Sequence, residues 1–156
     1  MHKYDVALSF AGEDRKYAEE LAKLLESGGY LFFYDKYERA QLWGTDLYQR
    51  LSRVYKDQAR YCVMFLSRNY ARTLWSRHEL MNAQARAFAE NQEYILPVLL
   101  DDTEIPGIPP TVAYLDLREL TIEEVYQDFV KKLSGSQSRK SSNEEITPNP
   151  LVSESK

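Results

Sequence analysis

Tyr4-Asp-Val-Ala-Leu-Ser-Phe10 is the stretch on which the fold turns, because from Val6 to Phe10 only Ser9 interrupts the apolar run. A strand with one wet face alternates apolar and polar residues; a strand covered on both faces does not. Four more runs share this character: Leu31-Phe-Phe-Tyr34, Cys62-Val-Met-Phe-Leu66, Ile95-Leu-Pro-Val-Leu-Leu100 and Val112-Ala-Tyr-Leu-Asp-Leu117. Between the runs the spacing becomes helical. Tyr17, Leu21, Leu24 and Leu25 recur at helical intervals before a Gly28-Gly29 stop, and Leu47, Leu51, Val54 and Tyr55 repeat the pattern. A third helix is expected from about Ser76 to Asn91. A last one, from Thr121 to Leu133, carries Val125, Phe129 and Leu133 on one stripe. This alternation predicts an α/β fold, a parallel sheet with helices on both faces.

Two segments depart from the simple pattern. Pro97 cannot donate a ladder hydrogen bond, so the fourth run is expected at an edge or beside a bulge. Asp101 to Thr111, with Pro106, Pro109 and Pro110, is too proline-rich for a full helix and predicts a loop with at most one helical turn. From Ser134 the chain turns rich in Ser, Asn, Lys and Glu, which predicts one domain over 1–133 and a disordered tail over 134–156.

With 156 residues and 44% hydrophobic content the chain is long and apolar enough for a sizeable core. Its net charge of −4 argues against nucleic acid or an anionic membrane as partner. No apolar stretch approaches the ~20 residues needed to span a bilayer, and the N-terminus reads straight into a strand, so a cytoplasmic protein is expected. Cys62 stands alone inside an apolar run, where a thiol acts as a small hydrophobe. His2 and His78 make no zinc constellation with it, and no metal is expected.

Doubly wound sheets bind ligands at the carboxyl ends of their strands. Here those ends carry Phe10-Ala-Gly-Glu-Asp14, Asp35 to Asp46, Ser67 to Trp75, and Asp101-Asp102. Gly12 either lets backbone approach a ligand or is an ordinary turn residue. Glu13 and Asp14 are explained as acids in the first turn of a helix. No Gly-x-Gly-x-x-Gly and no Gly-Lys-Ser/Thr occurs, which argues against dinucleotide-fold dehydrogenases and phosphate-loop ATPases. In Trp75-Ser-Arg-His-Glu79 a ring and a carboxylate lie four apart, on one face if the segment is helical. The same residues also read as a capping box, Ser76 with Glu79, stapled by Trp75 and Leu80.

Taken together, these motifs resemble the Toll/interleukin-1 receptor (TIR) domain. Tyr4-Asp-Val-Ala-Leu-Ser-Phe10 looks like that family's first sequence box, and Asp35 through Gly44 is similar to the long loop after its second strand. Trp75-x-x-x-Glu79 resembles the motif that carries the catalytic glutamate of NAD-consuming members. The match covers residues 4 to about 133. Leu42-Trp-Gly-Thr-Asp-Leu47, Tyr94-Ile-Leu-Pro-Val and Asp101-Asp-Thr most resemble prokaryotic TIR proteins of antiphage defence.

The resemblance implies a flavodoxin-like three-layer sandwich with parallel strand order 2-1-3-4-5. It implies cleavage of the nicotinamide-ribose bond of NAD+, with NAD+ a substrate and no cofactor. Nicotinamide leaves neutral from a cationic ring, so no general acid is required, and Glu79 would stabilise the oxocarbenium-like ribose. Trp75 and Phe10 would offer aromatic surfaces, with Gly12, Trp43 and Asp46 as further substrate-binding candidates. Asp46 stands where other members place an aromatic, and it is equally suited to cap a helix. Water at the anomeric carbon would give ADP-ribose, and attack from within the molecule a cyclic ADP-ribose isomer. With no effector domain in these residues, the product is expected to act on a separate protein. The competing reading is a non-catalytic scaffold that assembles with other TIR domains through loop 35–44, where Lys36, Tyr37, Arg39 and Trp43 offer a partner surface. Self-association suits both readings, since family sites are commonly completed by a neighbouring protomer. A receiver-like phosphorylation domain is disfavoured because the third strand ends at Ser67, where such a site needs aspartate, and the fifth is followed by Arg118 instead of lysine.

Overall fold

In the computed structural model, which describes residues 3–37, 44, 49, 52–53, 57–74, 86, 89–90, 92–104 and 113–146, the apolar runs become the strands of one sheet. They are β1 (Tyr4–Ala11), β2 (Phe32–Tyr37), β3 (Ala59–Leu66), β4 (Ile95–Leu99) and the two-residue β5 (Leu115–Asp116). The order is β2-β1-β3-β4-β5 with every neighbouring pair parallel. This is the flavodoxin-like arrangement.

Strand periodicity sorts the side chains into two layers. Val6, Leu8 and Phe10 of β1 join Val63 and Phe65 of β3 and Val98 of β4 in one cluster. That face is covered by α1 (Arg15–Ser27), through Ala18, Leu21, Ala22 and Leu25, and by α3 (Ile122–Ile146), through Val125, Phe129 and Leu133. The opposite face, with Ala7, Ser9 and Ala11, meets α2 (Arg68–Leu74). α2 lies in the Ser67 to Trp75 segment at the carboxyl end of β3, for which the sequence predicts no helix. Seven residues are too few to display a 3.6-residue period, and only Tyr70 is fully buried among those whose side chains are described, so the helix was not legible.

The end of α1 shows what the double glycine does. Tyr30 N–H donates to the Leu25 carbonyl and Gly29 N–H to that of Glu26, the paired bonds of a Schellman motif, with Gly29 at φ +83°. At the start of α3, Thr121 N–H donates to Glu124 Oε1 and Glu124 N–H to Thr121 Oγ1, a reciprocal capping box. Thr121→Ala should lower stability by about 1 kcal/mol in urea denaturation with an unchanged m-value. α3 continues past Leu133, where the sequence reading ended it, to Ile146. Ser, Gln, Arg, Lys and Glu tolerate a helix, and an interior Gly135 costs only about 1 kcal/mol.

Pro97 sits in a strand paired on both sides, yet its missing N–H costs no ladder bond. Leu100 N–H points to Leu66 of β3, and the Leu99 carbonyl accepts from Leu117 on the β5 side. Odd-numbered residues of β4 therefore address β5, whose pairing begins only opposite Val98. At Pro97 the strand is an edge on the side that matters. Of the two remaining expected helices, Gln49, Ser52, Arg53, Arg86, Ala89 and Glu90 are helical and the other residues lie outside those described.

Candidate functional site

Burying a polar group without a partner costs several kcal/mol, so the location of such groups marks where a fold is doing something besides packing. Among the described residues the buried polar side chains are Ser9, Asp14, Asp35 and Ser67. All lie at the carboxyl-terminal end of the sheet, where this architecture binds ligands. Ser9 pairs in register with Asp35 of β2, Asp14 ends the 3-10 turn Gly12–Asp14 after β1, and Ser67 follows β3.

Asp14 is the hub of the group. Its Oδ2 accepts from Ser67 Oγ at 2.5 Å and its Oδ1 from Asn69 Nδ2 at 3.0 Å. Asp14 lies, as expected, with Glu13 among the acids of the first turn, here a 3-10 turn leading into α1, but its side chain caps nothing and turns inward toward α2. Ser67 Oγ also accepts the Tyr70 N–H at 3.0 Å, so Ser67 is the N-cap of α2 while donating to Asp14. The Tyr70 hydroxyl reaches Ser9 Oγ at 2.9 Å. From the far side, Asp101 Oδ2 accepts the Arg68 N–H and Oδ1 the Thr103 N–H, both at 3.0 Å.

Burial raises the Asp101 pKa, but hydrogen bonds from Arg68 and Thr103 together with the Arg68 charge outweigh it and hold the carboxyl below its ordinary value. A depressed pKa contributes stability above the unfolded value of about 3.9 that disappears as pH falls through the folded value. Asp101→Asn should therefore flatten the acid limb of the stability curve below about pH 4 in urea titrations. Cys62 behaves oppositely: burial, then the nearby Asp35, pushes its thiol well above the usual range. Native protein should resist maleimide until it is unfolded.

The expected site residues fall into two groups. Gly12 opens the turn after β1, while Phe10 has no exposed surface. The Phe10 ring packs edge-on against Tyr34 at 5.6 Å with the Arg15 guanidinium 5.9 Å above it, inside the apolar cluster of the sheet. Trp43, Asp46, Trp75 and Glu79 lie outside the described residues; α2 ends at Leu74, directly before Trp75. Gly44, between Trp43 and Asp46, takes φ +84°, a conformation that favours glycine in the long loop. Sequence reading missed the Asp14, Ser67, Asn69 and Tyr70 constellation. Its one local signal is Ser67 before a short polar stretch, which resembles many turns. No group of three metal-ligating side chains occurs among the described residues, and no helix there is long and apolar enough to cross a membrane.

Comparison with known proteins places this arrangement. A family model described as TIR domain matches residues 6–133. The chain is 50% identical over 136 residues to the 3′ cyclic ADP-D-ribose synthase AaTIR of Aquimarina amphilecti, an alignment covering 87% of this chain and 42% of that protein. It thus spans less than half the length of this curated relative. Two structures of a metazoan TIR-STING receptor from C. gigas, one in complex with 2′,3′-cGAMP, match at TM-scores of 0.51 and 0.55. Both are 19% identical over 82% of this chain and 40% of theirs, and the likeness concerns the fold alone. A match that runs from Val6 in β1 to Leu133 in α3, on a sheet of this order, settles the ancestry: the chain belongs to the TIR domain family.

Proposed function

We propose that this TIR domain cleaves the nicotinamide-ribose bond of NAD+, releasing nicotinamide and a cyclic ADP-ribose isomer or ADP-ribose as a signal in antiphage defence. The observation that carries the reading is 50% identity, across 87% of the chain, to a protein named as a cyclic ADP-ribose synthase. Glu79 is the catalytic group. Its carboxylate stabilises positive charge on the ribose as the neutral nicotinamide departs with the bonding electron pair. Trp75 supplies an aromatic face one turn earlier, Gly12 lets the β1 loop approach the substrate, and Trp43 and Asp46 contribute from the long loop. A ribose or adenine nucleophile of the same molecule then closes the ring and loses a proton, whereas water gives ADP-ribose.

The protein works in the cytoplasm as an assembly of TIR domains, with loop 35–44 of one protomer meeting the next, and its product acts on a separate effector. Chromatography and mass analysis of NAD+ incubated with the protein test the reading. A nicotinamide peak beside a product lighter than ADP-ribose by one water identifies cyclisation, and ADP-ribose alone identifies hydrolysis. No nicotinamide at any protein concentration would discard the enzyme in favour of a scaffold. Specific activity should rise with protein concentration if the site is completed between protomers.

A further inference from the structure

The first three residues of α2 are each tied to a different part of the sheet's carboxyl end. Arg68 N–H is held by Asp101 beyond β4, Asn69 by Asp14 beyond β1, and the Tyr70 hydroxyl by Ser9 within β1. The helix is seven residues long, about 10 Å, and the chain enters Trp75 directly from its far end. A tilt of about 6° about the tethered end would carry that exit by about 1 Å, and misplacement on this scale costs up to about a hundredfold in rate.

We propose that Asp14 is a positioning residue for the NAD+ cleavage proposed above, setting the direction in which α2 delivers the Trp75–Glu79 segment. The inference rests on that reading. Asp14 carries two of the tethers at once, since its carboxylate accepts from both Ser67 and Asn69. An amide at position 14 cannot do the same. If its oxygen serves Ser67, its NH2 faces the NH2 of Asn69; if its oxygen serves Asn69, its NH2 must donate to Ser67 Oγ, which already accepts the Tyr70 N–H, and the Ser67 proton has to turn away from position 14. Asn69 cannot turn over to relieve the clash, because its Oδ1 accepts from Arg72 Nη2 at 2.6 Å, and a flip would set NH2 against the guanidinium. Asp14→Asn therefore either sets a donor against a donor or keeps both contacts only as neutral bonds, with the Ser67 proton deprived of its carboxylate acceptor. Exchanging the two side chains removes the conflict: the amide, now at position 14, would accept from Ser67 and donate to the carboxylate, now at position 69, which would still accept from Arg72.

The test is the steady-state release of nicotinamide from NAD+ by wild type, Asp14→Asn, Asn69→Ala and the double exchange Asp14→Asn/Asn69→Asp, each assayed well below its own melting midpoint. Asp14→Asn should lose about tenfold to a hundredfold in kcat with KM changed less than about threefold, and the exchange should return kcat to within about threefold of wild type. Asn69→Ala, which leaves the Asp14 to Ser67 bond in place, keeps the question open to measurement if Asp14→Asn does not fold, and should fall in kcat by about tenfold. A merely structural role would lower the melting midpoint and leave kcat of the folded protein intact; that result, or an exchange that melts like wild type without recovering kcat, overturns the proposal. Wild type that releases no nicotinamide overturns the NAD+ reading and the positioning role with it, whereas active wild type with an unchanged Asp14→Asn sinks the positioning role alone.

Discussion

Glu79→Gln should reduce nicotinamide release by at least about a hundredfold while the protein remains folded. Glutamine matches glutamate in shape but carries no charge, so it cannot oppose the positive charge that grows on the ribose as the glycosidic bond stretches. Removing a single preorganised electrostatic partner from a transition state typically costs about 10²–10³ in rate. The helix-capping role available to the same residue is small by comparison, since losing a cap costs about 1 kcal/mol of a total stability of roughly 5–15 kcal/mol. The two roles thus separate in one experiment. Release rate and melting temperature are measured on the same preparation; a rate within threefold or so of wild type, together with a slightly lowered melting point, would leave Glu79 as a cap and nothing more.

Phe10→Ala should be the most destabilising substitution of those considered, by about 3–5 kcal/mol, which for a chain of this size lowers Tm by roughly 10 °C. The ring has no exposed surface and is built into the cluster that joins β1, β3, α1 and α3. Its removal costs the transfer energy of the ring and leaves a cavity that a central strand, paired on both sides, cannot collapse to fill. Phe10→Leu, which keeps most of the volume, should lose less than half as much. If the ring instead faced the substrate, Phe10→Leu would melt like wild type and raise KM for NAD+. Kinetics and calorimetry on the pair decide which role the residue has.

The difference between Phe10 and Asp14 shows how far local reading reaches. In sequence both sit at or just after the end of the first strand: the family resemblance offers Phe10 to a ligand, and Asp14 reads as an acid in the first turn of a helix. Strand parity then puts Phe10 under α1, and the 3-10 turn swings the Asp14 carboxylate inward toward α2. Neither outcome depends on the residues adjacent in sequence. Phe10 is covered by the apolar faces of α1 and α3, and the Asp14 carboxylate is set by donors more than fifty positions away, Ser67 and Asn69.

The sequence by itself determined the elements that depend on short-range pattern. Continuous apolar runs located the strands, because burial on both faces leaves no polar position to alternate; Gly28-Gly29 ended α1, because the Schellman turn needs a residue at positive φ. The motifs of the first strand and of Trp75 to Glu79 also sufficed to suggest the family. Tertiary structure alone decided the rest. It showed that Pro97 costs no ladder bond, because β5 is too short to reach it, and that the polar segment after β3 is a helix, because Asp14, Asp101 and Ser9 hold its first turn from three sides. Helix and strand periods are written in neighbouring residues. Partners for buried polar groups are brought together only when the sheet closes its order, and for that reason the polar end of this sheet could be seen only in three dimensions.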